Sequence, residues 1–180
     1  MLYIITALKP EAQAFVDKYK LKKMKLEGFT LFTNEKIILI VSGLGVVNAK
    51  KATNVIINNF NIKQDNIFLN IGICGANKDY KIGKLLQIGS IVYNDKIFII
   101  KKEIKNTINC LNEEVFQDGY QIVDMESFGF YDALKQKVDT NNIYIFKVVS
   151  DYFEPYTVTK DATKVLIFKE IENIIKEIKK

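Results

Sequence analysis

The fold class follows most directly from the run Ile143-Tyr144-Ile145-Phe146-Lys147-Val148-Val149, which is followed by Ser150-Asp151. The run is β-branched and aromatic at every position but one, which is typical of a strand buried on both faces of a sheet. Asp151 then stands just past the C-terminal end of this strand. Open α/β sheets bind their ligands outside the carboxyl ends of their strands, so the sequence predicts a polar group at a binding edge.

Outward from this run, predicted strands alternate with predicted helices. Pro10 suits the first turn of a helix, and apolar residues at helical spacing continue through the later helices. The predicted strands are 2–7, 29–33, 36–41, 66–71, 88–93, 96–100, 120–123 and 143–149, and the predicted helices are 10–19, 46–60, 127–137 and 160–178. This order favours one α/β domain over residues 1–180, with a mixed, twisted central sheet flanked by helices.

Composition excludes several kinds of site. The chain has no histidine and only two cysteines, Cys74 and Cys110, so we expect no zinc site and no histidine-based nucleophilic catalysis. We also expect no other metal and no cofactor. The net charge of +5 comes from lysine alone, since the chain contains no arginine. Nucleic-acid binders usually carry arginine forks, so we interpret the lysine clusters 20–25 and 176–180 as solvated helix faces and a tail, and expect no nucleic-acid partner.

The sequence also gives no sign of a membrane partner. Its apolar runs are shorter than the roughly 18 residues that suggest a membrane span. Met1–Ala7 continues into Lys9, Pro10 and Glu11 without a basic leader and is interpreted as a first strand. We therefore predict a cytoplasmic protein.

Three carboxylates are candidates for function. Asp151 ends the buried strand, Glu126 follows a short strand and opens a helix-like stretch, and Glu11 lies near the N-terminus. Together they indicate chemistry on a polyhydroxylated substrate. Each also has a structural alternative: Asp151 could cap a turn before Pro155, and Glu126 or Glu11 could be an acid in a first helical turn.

These segments together resemble the purine and uridine phosphorylase superfamily, and most closely the 5′-methylthioadenosine/S-adenosylhomocysteine nucleosidases. The similarity rests on five segments in the family's order: 5–11 (Ile-Thr-Ala-Leu-Lys-Pro-Glu), 42–49 (Ser-Gly-Leu-Gly-Val-Val-Asn-Ala), 70–76 (Asn-Ile-Gly-Ile-Cys-Gly-Ala), 123–126 (Val-Asp-Met-Glu) and 149–151 (Val-Ser-Asp). They extend across nearly the whole chain.

The resemblance implies cleavage of the N-ribosyl bond of a purine nucleoside through an oxocarbenium-like sugar. Asp151 would be the general acid that protonates the leaving purine toward N7, and Glu11 would activate the attacking water. Glu126 would accept hydrogen bonds from the ribose hydroxyls. The remaining substrate-binding positions implied by the resemblance are Met125 against the ribose, Ser150 beside the acid, and Ile73 and Gly75 near the base or sugar.

The chain also departs from this family. It is shorter, and the missing part lies between Tyr93 and Tyr120, where the nucleosidases carry an aromatic residue that stacks on the base; Phe116 or Tyr152 could replace it. Ile73 stands where the family has a small hydroxyl residue.

Three alternatives follow. The first is a purine nucleoside phosphorylase whose phosphate is held by lysines. The second is hydrolysis of another nucleoside, such as a futalosine-type compound. The third is a non-catalytic nucleoside binder. Without arginine forks for phosphate, we favour water as the nucleophile. The resemblance also implies a homodimer.

Overall fold

The computed structural model describes residues 1–179, which form a mixed sheet flanked by helices. The helices are α1 (Lys9–Tyr19), α2 (Val46–Asn59), α3 (Ser127–Leu134) and α4 (Lys160–Glu177). The strands are β1 (Leu2–Thr6), β2 (Lys22–Leu26), β3 (Phe29–Thr33), β4 (Ile37–Val41), β5 (Ile67–Ala76), β6 (Leu85–Gln87), β7 (Ser90–Tyr93), β8 (Lys96–Ile99), β9 (Thr107–Cys110), β10 (Ile122–Asp124) and β11 (Ile143–Asp151). The predicted α/β class with a mixed central sheet is confirmed.

Strand β5 lies at the centre of the sheet and has three partners. The main path runs β2-β3-β4-β1-β5-β10-β9-β7-β8, and β11 pairs with β5 and with β6. β5 is parallel to β1 and to β11 but antiparallel to β10. The ends of β1, β10 and β11 therefore meet along one strand.

Each face of the sheet is covered by two helices. Alternate residues of β11 enter different cores, because successive side chains of a strand point to opposite faces. Ile145 and Val149 join the core beneath α2 and α3, whereas Phe146 and Val148 join the core beneath α1 and α4. Lys147 shares the parity of Ile145 and Val149 and so lies on the α2–α3 face.

The structure differs from the sequence predictions at two places that affect the site or the edge of the sheet. Residues 72–76 were predicted as a loop, but they continue β5 to Ala76. Gly72 pairs with Lys147 of β11, and Gly75 pairs with Asp151 of β11 and with Val123 of β10, so strand pairing continues through this segment. Most of the lysine cluster 20–25 lies in strand β2 rather than on a helix, where exposed lysines protect the sheet edge from further pairing.

The C-terminal third of the chain agrees more closely with the predictions. β11 continues two residues beyond the predicted strand, so that Asp151 is its last residue. A short strand, β9, lies between the predicted pair 88–100 and residue 120. The last residue of the C-terminal lysine cluster, Lys180, lies outside the described residues. Among the helices of residues 1–179, none combines the length and apolar character that a membrane crossing needs.

Candidate functional site

A cavity of about 310 Å³ lies at the carboxyl ends of β1, β10 and β11. This is large enough for one small organic molecule. The structure brings every residue predicted for the site to the wall of this cavity: Glu11, Ile73, Gly75, Met125, Glu126, Ser150 and Asp151.

Glu11 is fixed by main-chain amides from two parts of the chain. It lies in the first turn of α1 and is 1% exposed. Its Oε2 accepts hydrogen bonds from Ala7 N (3.0 Å) and Leu8 N (2.8 Å), and its Oε1 accepts one from Ile73 N (3.0 Å). Burial raises the pKa of this carboxyl, against the opposing effect of the amide of Leu8. A buried carboxyl whose pKa is raised is a better proton acceptor than an exposed one.

Gly72 leaves the room that Glu11 occupies. A Cβ atom on residue 72 would lie 2.8 Å from Glu11 Oε1. Any larger residue here would displace the carboxylate, so the close approach of β5 to α1 requires glycine at this position.

Glu126 lies immediately before α3 and is anchored at one oxygen. Its Oε1 accepts a hydrogen bond from Gly45 N (2.8 Å) at the start of α2. No described residue donates a hydrogen bond to Oε2. Burial raises the pKa of Glu126 to about 7, against the opposing effect of Lys147. The second oxygen is therefore free to accept hydrogen bonds from a ligand.

Asp151 ends β11 and has partners for both oxygens. Oδ1 accepts a hydrogen bond from Glu154 N (2.9 Å), so the predicted turn cap before Pro155 is present. Oδ2 lies 2.6 Å from Ser150 Oγ, which in turn lies 3.1 Å from Cys74 O. Asp151 both caps this turn and lines the cavity, so its structural role is compatible with a place in the site.

A buried ion pair lies beside these carboxylates and was not found from the sequence. Lys147 Nζ lies 2.8 Å from Asp124 Oδ2, and both side chains are 1% exposed. Burial alone would lower the pKa of Lys147, but Asp124, together with Glu126 and Glu11, raises it well above its usual range. The signal in the sequence was the single charged residue in an otherwise apolar strand, 143–149.

The aromatic wall of the cavity also differs from the prediction. Neither Phe116 nor Tyr152 lines the cavity, and Phe116 is 62% exposed. Phe153 lines it instead, buried and in a left-handed backbone conformation with φ of 62°, which is uncommon for a residue other than glycine. A Cβ atom on Gly75 would lie 3.4 Å from Phe153 Cδ1, so the glycine and the ring pack closely.

The rest of the cavity wall is mixed in character. Glu113, Glu114 and Val115 contribute from the segment after β9, and Lys160 contributes from the first residue of α4. Within residues 1–179, no group of three or more histidine, cysteine, aspartate or glutamate residues is placed to hold a metal ion.

Comparison with known proteins gives the fold but no sequence match. No protein-family model matches the chain, and no curated protein matches it either. Among solved structures, a 5′-methylthioadenosine/S-adenosylhomocysteine nucleosidase from Colwellia psychrerythraea 34H in complex with adenine superposes with a TM-score of 0.79 at 18% identity, over 98% of this chain and 95% of that chain.

Two further solved structures are similar to the same degree. The nucleosidase from Neisseria meningitidis in complex with methylthio-immucillin-A gives a TM-score of 0.80 at 17% identity, over 98% of each chain. The futalosine hydrolase of Helicobacter pylori strain 26695 gives 0.80 at 16% identity, over 98% of this chain and 97% of that chain. This chain therefore has the fold of these solved nucleosidases and of the futalosine hydrolase.

Proposed function

We propose that this protein is an enzyme that hydrolyses the N-ribosyl bond of a purine nucleoside, with water as the nucleophile. The observation that carries the proposal is the convergence of Glu11, Glu126 and Asp151 on one cavity. A pure binding protein has no need of both a base and an acid in its site. The fold shared with a nucleosidase crystallised with adenine supports the purine class.

In this mechanism, Glu11 accepts a proton from the attacking water. Its three main-chain hydrogen bonds hold the carboxylate still, so little reorganisation is needed when the water is deprotonated. The free oxygen of Glu126 accepts hydrogen bonds from the ribose hydroxyls. Its negative charge also stabilises the positive charge that develops on the sugar. Met125 packs on the ribose, and Ile73, Gly75 and Phe153 surround the base.

Asp151 protonates the leaving purine, and the hydrogen bonds of Ser150 support this role. A hydroxyl group has one hydrogen, and the Cys74 carbonyl can only accept. Ser150 Oγ therefore donates to one acceptor at a time, and its contact with Asp151 Oδ2 is the shorter, at 2.6 Å against 3.1 Å to Cys74 O. This hydrogen bond fixes the orientation of the Asp151 carboxyl at the cavity wall, which a general acid needs if it is to reach the leaving base.

The charges around the cavity favour water over phosphate as the nucleophile. The buried cation next to the cavity, Lys147, is already paired with Asp124. Lys160 also lines the cavity, but it is exposed. A phosphate dianion would therefore have to enter beside Glu11 and Glu126 with no further buried cation among residues 1–179 to offset the repulsion.

The test is release of free base from methylthioadenosine, adenosylhomocysteine, adenosine, inosine and futalosine, with and without phosphate. We expect release without phosphate, at a rate that phosphate does not raise. Asp151→Asn should lower kcat by about 100-fold to 10,000-fold, the usual contribution of a general acid. The exposed Asp161→Asn is the matched control. Release only with phosphate would indicate a phosphorylase, and nucleoside binding without release would indicate a non-catalytic binder.

We further propose that the protein is a homodimer and acts in the cytoplasm. Leu44 and Val47, which are 49% and 63% exposed, flank the Gly45 amide that holds Glu126. A second copy covering these residues would close the cavity mouth. Light scattering at micromolar concentration tests the dimer, with a monomer as the contrary result.

The proposed cytoplasmic location is supported by the two free cysteines, Cys74 and Cys110, which suit a reducing compartment.

A further inference from the structure

Both oxygens of Asp124 accept hydrogen bonds from the protein, although Asp124 is not among the carboxylates to which we assign chemistry. Oδ2 accepts hydrogen bonds from Ser127 N (2.9 Å) and Glu126 N (3.3 Å), and Oδ1 accepts one from Ser127 Oγ (2.6 Å). Lys147 Nζ completes the set at 2.8 Å from Oδ2. Both oxygens of Asp124 are therefore committed inside the protein.

The main-chain part of this set fixes the start of α3. The first amides of a helix have no partner within the helix, and an aspartate placed before the helix can accept their hydrogen bonds. Asp124 does so for Ser127, the first residue of α3, and for Glu126 before it. The backbone of residues 124–127 is thereby closed into a rigid turn whose direction sets where the Glu126 side chain points.

Lys147 makes this arrangement possible. The buried carboxylates of Asp124 and Glu126 lie within electrostatic range of each other. The positive charge of Lys147 acts on both. Two buried carboxylates this near repel each other, and burying either one unpaired is costly. Lys147 comes from the centre of β11, a different part of the sheet from β10, so the pair also ties the turn to the rigid middle of the sheet.

We propose that Asp124 and Lys147 are positioning residues that hold the Glu126 carboxylate in line with the cavity. The proposal rests on the proposed function in one respect, namely that Glu126 is the group that contacts the ribose. Asp124 lines the cavity but has both oxygens engaged by the protein, whereas Lys147 does not line the cavity. It acts through Asp124, and Asp124 acts through the amides of Glu126 and Ser127.

The decisive variant is the double substitution Asp124→Asn/Lys147→Met. It removes both charges together, because either single change would leave an unpaired buried charge and could prevent folding. Replacing a buried pair by neutral residues of similar size is often neutral for stability. We expect the double variant to fold, the amides of Glu126 and Ser127 to exchange hydrogen faster by NMR, and kcat/KM for base release to fall about 100-fold.

Three comparisons separate positioning from a general structural effect. Asp132 also lies on α3, and it pairs with Lys50, whose side chain is exposed. Lys50→Met breaks this ion pair and should leave amide exchange and kcat/KM unchanged. Ser127→Ala removes one donor to Asp124 without unpairing a charge and should lower kcat/KM about tenfold. In a Glu126→Ala background, the double substitution should cost less than about threefold, because the residue that it positions is gone.

The proposal is overturned if the double variant keeps wild-type amide protection at 126 and 127, or if its loss of activity is undiminished in the Glu126→Ala background. If the double variant does not fold, Ser127→Ala carries the same test, and unchanged exchange and activity there would overturn the proposal. If the wild-type protein releases no base, the proposed function fails, and amide exchange still tests the positioning role by itself.

Discussion

Gly72 offers the sharpest test of how the Glu11 carboxylate is held. In Gly72→Ala, the new Cβ atom would lie 2.8 Å from Glu11 Oε1 and 3.3 Å from its Cδ atom. Carbon atoms without a bond between them are most stable about 3.5–4.0 Å apart, so the carboxylate has to move by about 0.5 Å or more. Gly72 does not have a left-handed backbone conformation, so alanine adds no backbone strain, and the effect is confined to this contact.

The expected result is a loss of activity together with a moderate loss of stability. Misplacing a catalytic group by about 1 Å can lower the rate about 100-fold, so we expect kcat/KM for base release to fall by about 10-fold to 100-fold. Overpacking should lower the free energy of unfolding by about 1–3 kcal/mol, partly offset by about 0.4–1 kcal/mol from the stiffer unfolded chain.

The assay is initial-rate base release from the preferred nucleoside, together with urea unfolding. Ile171 is a residue of α4 whose side chain lies in the core and does not line the cavity. Ile171→Val is therefore the control for stability. It should destabilise the protein by about 0.5–1.5 kcal/mol and keep wild-type kcat/KM. Wild-type kcat/KM in Gly72→Ala would refute the reasoning, because it would mean that the position of the Glu11 carboxylate is irrelevant.

Three further predictions concern pH, the general acid and the core. Because the folded protein raises the pKa of Glu126 from 4.5 to about 7, it binds more protons than the unfolded chain between these values. The free energy of unfolding should therefore fall by about 3 kcal/mol as pH rises from 4.5 to 8. Glu126→Gln should flatten this dependence in urea unfolding at several pH values, and an unchanged slope would contradict the assignment. Ser150→Ala should lower kcat about tenfold, because the hydroxyl that orients the Asp151 carboxyl is lost; Ser150→Thr, which keeps a hydroxyl, should retain most of the activity, and equal kcat values for both variants would count against the role. Ile171→Ala should destabilise the protein by about 2–5 kcal/mol in thermal unfolding without changing KM at temperatures where it is folded, so an altered KM would argue against its separation from the site.

Local patterns were sufficient where burial and periodicity agree. Residues 143–149 predicted a buried strand, and the alternation of helices with strands predicted the mixed sheet that the structure confirms. The order of the five similar segments also placed Glu11, Glu126 and Asp151 among the candidate residues, and all three line one cavity. Their catalytic roles remain predictions.

Pairing between distant segments decided the features that the sequence did not predict. The glycines of residues 72–76 favour a loop locally, but pairing with β11, and for Gly75 also with β10, keeps them extended. Lys147 was predicted as part of a strand without a function, because its partner Asp124 is far away in the sequence and is brought close only by the sheet. The sequence predicted Phe116 or Tyr152, and not Phe153, as the aromatic residue of the cavity, because the direction of Phe153 depends on a left-handed backbone conformation.

The hydrogen bonds that fix the three carboxylates have a consequence for folding. Glu11 is held by an amide 62 residues away and Glu126 by an amide 81 residues away, and the hydroxyl beside Asp151 reaches a carbonyl 76 residues away. Contacts between such distant segments form late, because each closes a long loop before it contributes stability. A partly folded chain or a fragment could keep the local contacts of Glu11 and Asp151 but would lack the distant contact that completes the hold on each of the three groups. During refolding, catalytic activity should therefore return together with the complete sheet and not before it.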